Sequence, residues 1–283
     1  MNVQAAICPL PDLGALRFSG PDARRFLQGQ LSNDLDRLAT GTLVRAGLHN
    51  PQGRTLALLC LLAWPGEDIG AILPLELAAE VAALLRRYVL RARVTVSDES
   101  AALRVYGLCI PEGAPAPEAA VPLEPGRALC VVPAAAAAPA GAALAREQWR
   151  ALDIAAGLPQ VYRATAGQFV AQMLNLDCID AISFSKGCYT GQEVIARAHY
   201  RGRVKRRMQR FESAEPLDLA PGDVRSLEDG RPARVIEAVR RADGRCEFLA
   251  VAPLPGAERE AAEGTEAARV RVSALPLPYE LPS

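Results

Sequence analysis

Between Gly14 and Leu38 the chain runs apolar, turns polar at Ser19-Gly20-Pro21-Asp22, and becomes apolar again at Phe26, Leu27 and Leu31. That order predicts a strand, a turn and a helix, with Pro21 suited to the helix's first turn. Asn50-Pro51-Gln52-Gly53 joins residues 43–48 to the apolar run 55–62, which predicts a hairpin with one deeply buried strand. Over residues 74–90, Leu77, Val81, Leu84, Leu85 and Tyr88 recur at helical intervals, and Arg86 and Arg87 sit where cations complement a helix's C-terminal end. Residues 93–97 alternate as a strand. Strand, helix, hairpin, helix, strand predicts an α+β sandwich of ferredoxin-like type, and no GxGxxG or Walker sequence points to a nucleotide-binding fold instead.

Residues 111–141 are rich in Ala and Pro, yet 128–132 still read as a strand, so this stretch belongs to a second α+β unit with loosely specified loops. Trp149, Leu152, Ile154 and Ala155 predict a helix that Gly157 stops, with Pro159 just beyond. After Phe211, short alternating pieces at 233–239, 246–251 and 268–272 are separated by Asp-Gly and Pro-Gly turns, as in a small antiparallel barrel. The expected layout is therefore 1–105 and 106–210 as α+β units and 211–283 as a C-terminal β-barrel.

Charge narrows the function classes. Lys plus Arg and Asp plus Glu each number 32 in 283 residues, so no global field draws the chain to nucleic acid or membrane, and any anionic partner needs a local patch. The N-terminus lacks the basic start and apolar core of a secretory signal, and the apolar runs are too short and interrupted to span a bilayer. The seven cysteines include no CxxC pair, so neither a disulfide framework nor a metal site is expected, and a cytoplasmic location is. His49 and His199 stand alone, without partners that suggest a triad or a metal.

The stretch richest in chemistry is Lys186-Gly187-Cys188-Tyr189-Thr190-Gly191-Gln192-Glu193. Gly187 and Gly191 permit positive φ or close approach of the backbone. Lys186 supplies a positive charge of the kind that favours a thiolate, and Glu193 suits the start of a helix. Read without the rest of the chain, the same pattern also fits a tight strand-to-helix turn around an inert cysteine. Arg197, Arg201, Arg203, Lys205, Arg206, Arg207 and Arg210 follow without an intervening carboxylate. They read either as a solvated face or as an anion site in which guanidinium forks grip carboxylates. Trp149 reads most simply as a core anchor.

Residues 186–193 resemble the KGC[FY]xGQE signature of the YgfZ proteins. Phe26-Leu27-Gln28-Gly29-Gln30-Leu31-Ser32-Asn33-Asp34 is similar to that family's FLQGQxTxD segment, Asn50-Pro51-Gln52-Gly53-Arg54 to its N(P/A)KG(R/K) turn, and Pro276-Leu277-Pro278-Tyr279 to its closing residues. The resemblance implies two ferredoxin-like folate-binding units, as in the glycine cleavage T-protein, ahead of the barrel. It also implies tetrahydrofolate or a related reduced folate as ligand. The implied role is accessory, in iron–sulfur protein assembly or repair, with iron–sulfur client or assembly proteins as partners and tRNA modification as an indirect beneficiary. Lys186, Gly187, Cys188, Tyr189, Gly191, Gln192 and Glu193 form the implied functional motif. Trp149 falls where a folate-binding aromatic is implied, and Arg197, Arg201 and Arg203 would take folate carboxylates. The family's second such aromatic is Leu13 here. Folate-dependent transferases of the same fold carry an Asp-Asp pair after the turn, replaced here by Ala57 and Leu58, so aminomethyl transfer or demethylation is the secondary reading. Direct nucleic-acid binding is not expected from the neutral net charge.

Overall fold

The computed structural model describes residues 5–114, 116–202, 204–255 and 268–282. The chain forms two compact units, each drawn from separated stretches: 1–48, 57–149 and 181–190 in the first, and 49–56, 150–180 and 191–283 in the second. Among the described residues no helix is long and apolar enough to cross a membrane.

Two five-stranded sheets make the frame of the first unit. β1 (Ala6–Pro9) belongs to one; β2 (Leu13–Ser19) opens the other, followed by helix α1 (Ala23–Gln28), β3 (Leu43–His49), β4 (Thr55–Ala63), β5 (Ile69–Pro74), helix α2 (Leu75–Tyr88) and β6 (Thr95–Asp98). Their spatial order is β3-β4-β5-β2-β6. The pattern-based reading misses β5, whose six residues are all buried and so show no alternation. That extra strand changes the layout. β2 pairs antiparallel with β5 and with β6, and β4 with β5, so the unit is a mixed α+β one whose sheet has five strands where the sequence pattern showed four. The other sheet takes β7 (Leu103–Cys109), β8 (Ala120–Glu124), β9 (Arg127–Pro133) and β10 (Ala142–Ala143) in the order β10-β1-β7-β9-β8. Cys8, Leu10, Ala15, Leu62, Ile72, Val105, Leu129 and Trp149 pack into one core across the two sheets.

Helix α3 (Arg146–Ala155) carries the chain from the first unit into the second. There α4 (Gln192–Tyr200) precedes β11 (Arg206–Pro216), β12 (Val224–Ser226), β13 (Pro232–Arg240), β14 (Arg245–Pro253) and β15 (Val272–Leu275). These strands form one sheet, ordered β12-β13-β14-β11-β15, over a core centred on Phe211, Val235 and Phe248. The expected barrel is not closed by a continuous ladder. Among the described residues, one parallel bridge, Ser226↔Arg269, links the edge strand β12 to the chain entering β15.

Candidate functional site

The signature loop is anchored at its start by the N-terminal segment that the sequence showed as a separate motif. Ser32 donates its hydroxyl to Ala181 O at 2.7 Å, its own carbonyl accepts from Ser183 N at 2.9 Å, and its Oγ accepts from Gly47 N at 2.8 Å. Gln28 donates to Asp34 at 2.8 Å while its Oε1 accepts from Leu35 N. That amide bond, ahead of the Asp36 N–H, holds the Asp34 carboxyl below its ordinary range. The carbonyls after α1 are thereby turned toward one point. Lys186 fills it: Nζ donates to Gln28 O and Leu31 O at 2.7 Å and to Asn33 O at 2.8 Å.

An ammonium has three protons, and all three are committed. Lys186 is buried, and loss of water pushes its pKa down to about 8, against the pull of Asp34 and Asp36. The Lys186 charge also sits 5.3 Å from the centre of the Tyr189 ring. Tyr189 is itself buried, and burial raises its phenol to about 12. Lys186 is therefore built into the loop's foundation, with its ammonium held by backbone carbonyls of the α1 segment. Gly187 and Cys188 are exposed, and a Cβ added at Gly187 would meet nothing within 4 Å. Cys188 is the exposed one among seven free cysteines; Cys8, Cys130 and Cys246 are buried and Cys60, Cys109 and Cys178 intermediate.

The other end of the loop lies in the second unit. Gly191 caps α4 with φ +83°, and a Cβ there would fall 2.5 Å from Asn50 O and 3.0 Å from Gly53 Cα. Gly53, at φ +71°, likewise faces Val194 Cβ at 3.0 Å. Two glycine turns about 140 residues apart thus meet backbone to backbone (50–53 and 191), and only glycine permits it. Gly187 has neither a positive φ nor a close neighbour, so neither backbone conformation nor close approach requires a glycine there. Gln192 opens α4; Glu193 pairs with Arg197 at 3.0 Å, with both side chains mostly exposed.

The arginine run divides. Arg197 and Arg201 are exposed on and beyond α4, whereas Arg203 lies outside the described residues. Arg207 is buried in a bidentate pair with Asp177, at 3.0 and 2.9 Å, and also donates to Gln172 O. Arg210 pairs with buried Glu247 at 2.6 Å. These two serve the second unit's interior, with carboxylates that come from distant parts of the chain.

Trp149 is 4% exposed. Its ring lies on Gly107, where a Cβ would come within 2.6 Å, and the Arg127 guanidinium covers the ring at 4.0 Å. Arg127 in turn lines a cavity of about 800 Å³ together with Arg45, which pairs with Glu124. Sequence reasoning missed Arg45 and Arg127, because an isolated arginine in a strand carries no signal. Ala57 and Leu58 are buried in β4. No cluster of metal-ligating side chains occurs among the described residues.

No family model matches the chain. The tRNA-modifying protein YgfZ of Edwardsiella ictaluri is 32% identical over 99% of this chain and 98% of that protein. The Klebsiella pneumoniae protein of the same name is 32% identical over 83% of this chain and 81% of its own. Among solved structures, the glycine cleavage system aminomethyltransferase T from Bartonella henselae matches with a TM-score of 0.62 over 88% of this chain and 78% of that one, at 11% identity, a likeness of fold. With about a third of its residues identical to such relatives over most or nearly all of its length, the chain belongs to the YgfZ family.

Proposed function

We propose that this protein is a tetrahydrofolate-binding accessory factor in the assembly or repair of iron–sulfur proteins in the cytosol, indirectly supporting tRNA modification. The observation that carries the reading is Cys188, an exposed sulfur on a loop whose flanking residue Lys186 is fixed by three carbonyls. A rigid frame under an accessible thiol suits contact with a partner protein, and Lys186, Gly187, Cys188, Tyr189, Gly191, Gln192 and Glu193 are its functional motif.

The folate would occupy the first unit's cavity of about 800 Å³, a size within the range of about 300–1,000 Å³ for small-ligand pockets. Arg45 and Arg127 offer guanidinium groups to folate carboxylates. Trp149, sandwiched between Gly107 and Arg127, acts by backing that arginine. Exposed Arg197 and Arg201 are assigned to a longer oligoglutamate tail. Ala57 and Leu58 can neither orient an amine nor manage its proton, so aminomethyl transfer is not assigned.

Titration with mono- and polyglutamylated tetrahydrofolate tests the pocket. Trp149→Ala removes the ring that backs Arg127 and should weaken binding by about 1–3 kcal/mol through that arginine. Failure of every reduced folate to bind would remove the ligand from the proposal. For the motif, Cys188→Ser should fold and bind folate like the parent yet fail to restore iron–sulfur enzyme activity in cells lacking the endogenous protein.

A further inference from the structure

A basic surface on the first unit shares no lining residue with the cavity that Arg127 borders and does not include Cys188. Arg86, Arg87, Arg91 and Arg93 fall within eight residues at the end of α2, interleaved with Tyr88 and Leu90. Leu90 is 87% exposed and Tyr88 44%. Leu90 and Tyr88 thus put apolar surface in water within the same short stretch as these cations.

Next to it is a cleft of about 350 Å³, lined by Arg25, Phe26 and Gln30 from the α1 side and by Arg91 and Ala92 from the other. Its walls are fixed by the backbone. Gly20, at φ +112°, would place a Cβ 2.4 Å from Arg93 O; Asp22 N donates to that same carbonyl, and the Asp22 carboxylate accepts from Arg93 N at 2.8 Å. Asp22 also lines the cleft, but its charge is directed to Arg93, whose N–H is the main reason the carboxyl stays below its ordinary range. Arg25, Arg87 and Arg91 are exposed, and their guanidinium groups form no ion pair among the described residues. The chain is neutral as a whole, so this positive charge is local.

We propose that this surface binds single-stranded RNA, with phosphates held by Arg25, Arg87 and Arg91 and bases packed on Tyr88 and Leu90. Guanidinium forks match phosphate oxygens, the exposed Tyr88 ring gives a sequence-tolerant stacking platform for a base, and Leu90 adds apolar contact beside it. The cleft distinguishes RNA from a lipid surface. A flat bilayer reaches Leu90 but cannot enter a cleft, whereas one nucleotide can, and the Gln30 amide offers both a donor and an acceptor to a base edge. RNA binding at this surface is independent of folate binding in the cavity.

The test is fluorescence anisotropy of the full chain with a fluorescein-labelled oligouridylate across a salt series. Wild type should bind with strong salt dependence. R25Q/R91Q should weaken binding about tenfold or more and flatten the log–log salt slope by about 0.7 for each phosphate no longer neutralised. Leu90→Ser should weaken binding several-fold and leave the slope alone. Far-UV circular dichroism and folate titration of the same variants should match the parent, which separates failure here from failure of the folate site. RNA affinity unchanged in R25Q/R91Q overturns the proposal. Capture of phosphatidylglycerol vesicles without RNA binding overturns it too, and makes the surface a membrane contact.

Discussion

The two ends of the signature loop are held by different physics. At residues 186–190, in the first unit, a side chain makes the attachment: the Lys186 ammonium reaches three carbonyls that the α1 segment presents to it. At Gly191, in the second unit, the attachment is the absence of a side chain, which lets the backbone approach Asn50 O and Gly53. Gly187 and Cys188 fall between these anchors in the chain and are exposed, and a Cβ at Gly187 would meet nothing within 4 Å. A charged anchor is directional and depends on protonation; a steric anchor is insensitive to pH. The loop thus has fixed ends and a free centre, the arrangement expected where the centre meets another molecule.

The largest test removes the charged anchor. Lys186→Met leaves three buried carbonyls without their donor and should destabilise the protein by about 3 kcal/mol or more, read by urea unfolding. The same pair of proteins should respond differently to pH. Because burial lowers Lys186 to about 8 from an ordinary 10.5, the unfolded chain binds the extra proton between those values. Stability from this group therefore rises as pH climbs from about 8 to 10.5 and is lost as pH falls back through about 8. Lys186→Met should lack that rise.

Next comes the steric anchor. Gly191→Ala meets a carbonyl oxygen at 2.5 Å and a positive φ, and should cost about 2 kcal/mol at every pH. Gly187→Ala, with open space at its Cβ, should change stability by less than about 0.5 kcal/mol. If the two alanine variants unfold alike, the contrast between anchored end and free centre fails.

The smallest effects belong to the centre and the surface. Cys188 should be alkylated fastest of the seven cysteines at neutral pH because it is the exposed one. Mass spectrometry of partially labelled protein reads the order, and faster labelling of Cys60 or Cys109 would contradict it. Breaking the exposed Glu193–Arg197 pair with Glu193→Gln should shift stability by at most about 0.5 kcal/mol.

Much of this was legible before the fold. The 3.6-residue spacing over 74–90 reads as α2 (Leu75–Tyr88), and the apolar stretch ending at Ala155 as α3, because one buried face of a helix leaves a periodic trace. β5 was not legible, since a strand buried on both faces has no period, and with it went the antiparallel pairs that β5 makes with β2 and β4. The arginine run shows the same limit in charge. Arg197 and Arg207 are equivalent letters in the sequence, but one is exposed and the other is buried against Asp177, 30 residues earlier in the chain.

By itself the sequence determined the helices and strands that leave a periodic trace, the family, and the motif that holds Cys188, because these depend on local periodicity and on contiguous residues. The tertiary structure decided what each motif touches. It joined the α1 segment to Lys186, set the turn at 50–53 against Gly191, placed Arg127 over Trp149, and divided the arginines between interior and surface. Those outcomes depend on long-range burial, where a charged or polar group is stable only when residues far along the chain supply its partners.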